Sequence, residues 1–208
     1  MRFRRTDIPA LLAVLMVLLL AGLLVVLVFW PDPVRPDRTD APQWLKELCM
    51  TGACQWHPWE EIVIHHSGTD QGNLDIIDRY HRTKRHWESA GYHFVIGNGT
   101  NSTDGEIEVG PRWFNQEEGS HCRGHNDKAI GICLIGNFEK TGQKPSMMQM
   151  LSLAQLTAYL TLRLGIPVEQ VHGHRDMSGA VTLCPGKNFP MNGFIPLVEA
   201  LRNDYRPH

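Results

Sequence analysis

The stretch "EIVIHHSGT", residues 61 to 69, decides how this chain folds. It is a run of apolar, mostly β-branched residues that ends in Ser67, Gly68 and Thr69. Such a run, closed by small turn residues, predicts a buried strand. The strand carries two histidines, His65 and His66, to its end. Neighbours on a strand face opposite sides of the sheet, so only one of them can join a shared site while the other packs or hydrogen-bonds elsewhere. Spacing alone leaves open which is which.

Outward from that strand, "GYHFVIGNG" (91–99) predicts a second strand running into a turn, and "EIEVG" (106–110) alternates as a third. "AIGICLIGNF" (129–138) is almost continuously apolar and predicts a central strand. Asn73 is a good N-cap for a helix with Leu74, Ile77, Tyr80 and His81 at helical spacing. A longer helix is expected from Ser146 to the stop at Gly165. Its polar stripe of Gln149, Ser152, Gln155 and Arg163 is narrow, which predicts a largely buried helix. "VEQVHGH" predicts a short strand, and "GFIPLVEALR" a last helix. Strands and helices mix without strict alternation. The expected fold class is α/β, a mixed central β-sheet flanked by about three helices.

The short strand leads into "HGHRDMSGAVTLCPG", residues 172 to 186. Imidazole and thiolate are both zinc ligands. His172 or His174, Cys184 and one of the His65–His66 pair could supply three. Three protein ligands leave a fourth tetrahedral position open, the arrangement of a catalytic rather than a structural zinc.

The N-terminus is of another kind. "MRFRRTD" carries three arginines and one aspartate. Residues 8–30 then include no charged residue over 23 positions. At about 1.5 Å per residue this spans roughly 35 Å, enough for a hydrocarbon core of about 30 Å. It ends in Phe29-Trp30-Pro31-Asp32, without a small-x-small cleavage site. The expectation is an uncleaved transmembrane signal-anchor, the alternative being a signal peptide cut in the following linker. Arg2, Arg4 and Arg5 place residues 1–7 in the cytoplasm and the rest outside it. That makes a single-pass protein of the inner (cytoplasmic) membrane with its domain in the periplasm. Residues 31–43, with four prolines and five charges, are expected to be an extended spacer. Residues 44–58 contain "CMTGAC", where Cys49 and Cys54 are expected to close a small disulfide loop, with a metal site as the rival. The folded domain is expected over 59–208. A net charge of −2 with no basic run argues against a nucleic-acid partner. Nothing in the sequence speaks to oligomeric state.

Taken together, "VIHHSGT", "GYHFVIGNG", "GSHCRGHNDKAIGICLIGNF", "GHRD" and "CPG" resemble the type-2 N-acetylmuramoyl-L-alanine amidases, which include phage lysozyme-type zinc amidases and peptidoglycan recognition proteins. The resemblance spans about residues 59 to 202, in the family's order. It implies the family's fold and a bound Zn²⁺ held by His65, His174 and Cys184. It implies hydrolysis of the amide between N-acetylmuramic acid and L-alanine in peptidoglycan or muropeptides. The family's active-site tyrosine falls on Tyr92, and the position two before the last ligand is Thr182; both are expected to be catalytic, as donors to the reacting oxygen. His121 and Asn126 fall in a loop that contacts substrate in the family, and are expected to bind it or to hold the loop together. Some branches place a glutamate where this chain has Cys133, so general-base duty by a glutamate there is excluded. Arg175 and Asp176 are expected to fix the loop, and His66 and His93 to give support. The alternative function is a non-catalytic peptidoglycan-binding module. Non-cutting relatives usually lose a zinc ligand, and all three are kept here.

Overall fold

The computed structural model describes residues 37–53 and 55–207. The basic tail, the expected membrane anchor and residues 31–36 of the spacer lie outside the described residues. Among those that are described, no helix is long and apolar enough to cross a membrane.

Five strands form one sheet: β1 (Glu61–His66), β2 (Phe94–Ile96), β3 (Ile107–Val109), β4 (Ala129–Leu134) and β5 (Val171–Gly173). Their spatial order is β3-β2-β4-β1-β5. β1 lies parallel between β4 and β5, β2 is parallel to β4, and only β2–β3 is antiparallel. The sheet is therefore mixed, as expected. The helices are α1 (Gln43–Leu48), α2 (Leu74–Tyr80), α3 (Pro111–Asn115), α4 (Met147–Leu164) and α5 (Met191–Asp204). A π-helical turn, His81–Arg85, extends α2.

Period-two alternation divides the sheet into two faces. Ile62, Ile64, Phe94, Ile96, Ile130, Ile132 and Leu134 point to one face and form the main core with Leu153, Leu156 and Leu160 of α4 and Phe194 and Val198 of α5. Each such side chain, fully buried, contributes about 1.5–3 kcal/mol. Val63, His65, Val95, Gly131 and Cys133 point to the other face, which carries two small apolar clusters and the candidate site. A strand buried on both faces cannot alternate apolar with polar, which is why β4 reads as one apolar run.

The helix ends follow the expected signals. Asn73 Oδ1 accepts from Ile76 N–H at 2.9 Å. Ser146 and Gln149 form a reciprocal capping box at the start of α4, and Gly165 ends it in the left-handed region. α4 is largely buried, as expected, and Gln149 and Ser152 of its polar stripe lie inside as well. Gln149 Nε2 donates to the carbonyls of Ile96 and Ile135, at 3.3 and 2.9 Å. These carbonyls end two strands, and a buried amide satisfies them where an apolar residue could not.

The end of the expected spacer is docked rather than extended into solvent. Asp40 N–H donates to the Tyr205 carbonyl at 2.8 Å, the Tyr159 hydroxyl donates to Asp37 Oδ2 at 2.6 Å, and Ala41 is buried. α1 begins at Gln43 and buries Leu45. Cys49 is a buried free thiol; its expected partner, Cys54, lies outside the described residues.

Candidate metal centre

The parallel arrangement of β1, β4 and β5 brings the ends of distant segments together. His65 is the penultimate residue of β1, and His174 opens the 3-10 turn after β5. Cys184 closes the following loop, where Arg175 N–H donates to the Cys184 carbonyl at 2.6 Å and ties the two ends together. The Cys184–Pro185 peptide is cis. Ligand atoms of His65, His174 and Cys184 all lie within 4.8 Å of one another. Cys184 Sγ is 3.6 Å from His65 Nδ1. That equals the roughly 3.6 Å edge of a tetrahedron with Zn–N near 2.1 Å and Zn–S near 2.3 Å. The alternation argument holds: His66 turns away, and its Nδ1 accepts from Phe138 N–H at 3.1 Å. His172 is not one of the three.

Electrostatics suit a cation. Burial, then the neighbouring His174, His66 and His93, hold His65 well below the usual histidine range. Burial also lowers His174, against a hydrogen bond to the His121 main chain that raises it. Burial pushes the Cys184 thiol up to about 12, opposed by the His66 N–H that reaches its sulfur at 3.3 Å and by Arg175. Without a cation all three groups are neutral near pH 7. Buried His65 Nε2 has no hydrogen-bond partner among the described residues. Two neutral imidazoles and one thiol, which ligates as the thiolate, fit a soft-to-borderline dication such as zinc.

Around this triad the other expected residues fall into three groups. Tyr92 stands beside it, its ring 5.1 Å from that of His65. Burial, then the Cys133 and Cys184 sulfurs, hold its phenol well above the ordinary tyrosine range, so it remains a proton donor. Thr182 caps the ligand loop, its Oγ1 accepting from Cys184 N–H at 3.1 Å; the hydroxyl proton stays available. Asn126 Oδ1 accepts from the His121 and Cys122 N–H groups, at 2.7 and 3.0 Å, and so holds the loop together.

His121 is buried, with both ring nitrogens unpartnered among the described residues. Its ring centroid is 5.0 Å from that of His65 and stacks on Tyr92 at 19°. A Cβ on Gly119 or Gly131 would come within 1.9 and 1.8 Å of this ring, so both glycines are needed to admit the imidazole. His93, by contrast, is saturated. Its Nδ1 accepts from Gly131 N–H at 2.9 Å, and its Nε2–H donates to the Glu117 carbonyl at 3.0 Å.

Two clefts are lined by residues that neighbour this centre, Tyr92 in one and His121 in the other. One, about 410 Å³, is bounded by Thr69, Ile76, Tyr80, Arg85 and Tyr92. The other, about 520 Å³, is bounded by Ser120, His121, Arg123, Asn126 and Asp127. Sequence reasoning overlooked Arg85, because nothing in "HRTKRHW" marks one cation among several as facing a cleft. Cys133 is a fully buried thiol on the same face of the sheet, opposite His65.

The family model for N-acetylmuramoyl-L-alanine amidase matches residues 55–187. The chain is 27% identical to the endolysin of Enterobacteria phage K11, over 69% of this chain and 90% of that protein. It is 33% identical to the endolysin of Enterobacteria phage T3, over 61% of this chain and 80% of that protein. The mouse N-acetylmuramoyl-L-alanine amidase is 30% identical over 55% of this chain, and the chain spans only about a fifth (20%) of that relative's length. Among solved structures, the endolysin amidase LysCS of Clostridium intestinale matches with a TM-score of 0.58 at 32% identity, over 69% of this chain and 87% of that one. Human PGRP-IBETAC, solved in complex with glycosamyl muramyl pentapeptide, shares the fold at a TM-score of 0.51 and 23% identity.

Proposed function

Because the chain belongs to the N-acetylmuramoyl-L-alanine amidase family, we propose that it hydrolyses the amide between N-acetylmuramic acid and L-alanine in peptidoglycan, with zinc held by His65, His174 and Cys184. The observation that carries this is the convergence of ligand atoms of His65, His174 and Cys184 within 4.8 Å of one another. Zinc, when bound there, supplies a Lewis acid that polarises an amide carbonyl and makes water nucleophilic at neutral pH.

The chain's own residues do the rest. Tyr92, kept protonated by burial, donates to the oxygen on which negative charge grows as the amide carbonyl becomes tetrahedral. Thr182 is the second donor, its hydroxyl proton free while its oxygen accepts from Cys184 N–H. His121 offers the substrate one N–H and one lone pair from a desolvated wall. The two clefts suit the two arms of the substrate. The polar one at His121, Arg123, Asn126 and Asp127 takes the sugar, and the one with Ile76, Tyr80 and Arg85 takes the stem peptide. The apolar run at 8–30 anchors this domain to the outer face of the inner membrane, within reach of the wall.

The test is to incubate the full chain with zinc and purified peptidoglycan. New L-alanine amino groups should appear together with free lactyl carboxylates, and Cys184→Ala should release neither. Binding without release would leave a recognition module instead. A Cys184→Ala protein as fast as wild type would remove the metal assignment.

A further inference from the structure

We propose that Cys122 is a positioning residue: its buried thiol latches the loop that carries His121 and Asn126 to the loop that carries His174 and Cys184, and so fixes the wall of the sugar cleft against the metal centre. This rests on the amidase function proposed above and identifies what holds its substrate-facing wall in place.

The two loops come from distant parts of the chain and meet over the site face of the sheet. Cys122 Sγ donates to the Ser178 carbonyl at 3.5 Å, a weak bond of the kind a thiol makes. Beneath it Cys122 packs with Val63 of β1, Ala129 of β4 and Met177, and Ala180 lies against them. Met177 and Ala180 belong to the ligand loop. The thiol therefore bonds to that loop and shares a small apolar cluster with it, and only 7% of Cys122 is exposed.

A latch works only if both halves are stiff. Cys122 is held through its backbone: its N–H donates to Asn126 Oδ1 at 3.0 Å, and its carbonyl accepts from His125 N–H at 3.0 Å. The same Asn126 oxygen holds the His121 N–H at 2.7 Å. The thiol, His121 and Asn126 thus move as one piece. In the other half, Met177 N–H donates to the His174 carbonyl at 3.2 Å, and Arg175 N–H to the Cys184 carbonyl at 2.6 Å. Ser178 rides on a turn that opens with one ligand and is tied to another. Cys122 also borders the cleft of about 520 Å³ beside His121 and Asn126. Releasing the latch would let that wall drift from the metal centre, and a substrate must touch both at once.

Three measurements test this. In metal-free protein, the infrared S–H stretching band of Cys122, isolated as wild type minus Cys122→Ala, should be that of a hydrogen-bonded thiol; a free-thiol band would overturn the proposal. Iodoacetamide labelling of the wild-type chain needs no variant to fold. Cys122 should react only as the chain opens, and reaction at the rate of the unfolded chain would rule the latch out. In zinc-loaded protein with a soluble muropeptide, Cys122→Ala should raise KM about three- to fivefold, one weak neutral hydrogen bond's worth, with kcat and zinc content unchanged. In a His121→Ala background the same change should cost nothing more, because the latch acts through that wall. Equal losses in both backgrounds would mean packing alone and would refute the positioning role. A Cys122→Ala protein with wild-type KM would refute it too, while leaving the amidase function standing. Failure of wild type to release lactyl carboxylates would sink the function, with the infrared result still deciding the latch.

Discussion

Two pairs of imidazoles at the sheet's site face and strand ends fall into two regions. His93 and His66 spend their ring nitrogens on backbone groups, Gly131 N–H and the Glu117 carbonyl for one and Phe138 N–H for the other. His65 and His121 are buried as well, yet His65 Nε2 and both nitrogens of His121 have no partner among the described residues. Buried polar atoms are almost always paired. The first region is bracing that happens to be made of histidine; the second keeps its valences for something else. Eleven histidines in the sequence say little, because satisfaction rather than number separates support from chemistry.

The sharpest way to break this division is to exchange adjacent residues. His65→Ala should lose stoichiometric zinc and drop turnover to background. His66→Ala should keep both, at a cost of about 1–3 kcal/mol for the stranded Phe138 N–H. Zinc analysis after dialysis, beside a turnover assay, decides it. Zinc retained by His65→Ala would merge the two regions.

A smaller effect sharpens the open region. With Cys184 at about 12 and both histidine ligands depressed, the cation-free site holds one proton that a bound dication must displace. The sign is fixed: binding releases that proton, so affinity rises with pH, about tenfold per unit between pH 6.5 and 9. Competition with a chelator of known pH dependence would measure it. A flat profile would mean a thiolate already present without the cation.

Much of this was legible in the sequence. The apolar run at 129–138, the caps Asn73 and Ser146, and the stop at Gly165 follow from local chemistry, and the structure realises each. Alternation excluded one of His65 and His66 but could not name it, because register across the sheet decides which face is the site. The role of Gln149 was not legible, since helical periodicity does not reveal that two strand carbonyls end beneath it. His121 was legible only by resemblance, and the Gly119–Gly131 cradle that admits it joins a loop to a strand.

The gentlest test acts on the bracing region and should leave the open one intact. His93→Phe keeps a ring but strands Gly131 N–H and the Glu117 carbonyl, so metal-free protein should lose about 2–4 kcal/mol at pH 7. Zinc content should not change. The acid limb then isolates the imidazole itself. Burial holds folded His93 at about 3, whereas an unfolded histidine titrates near 6.5. Between those values the unfolded chain carries the extra proton, so His93 makes stability fall as pH drops from about 6.5 towards 3, by about 1.4 kcal/mol per unit. His93→Phe should remove that share of the slope in denaturant midpoints taken from pH 7 to 4, leaving the share due to His65 and His121. If the full slope survives, His93 is exposed to protons in the folded state, and the bracing region is as open as the site beside it.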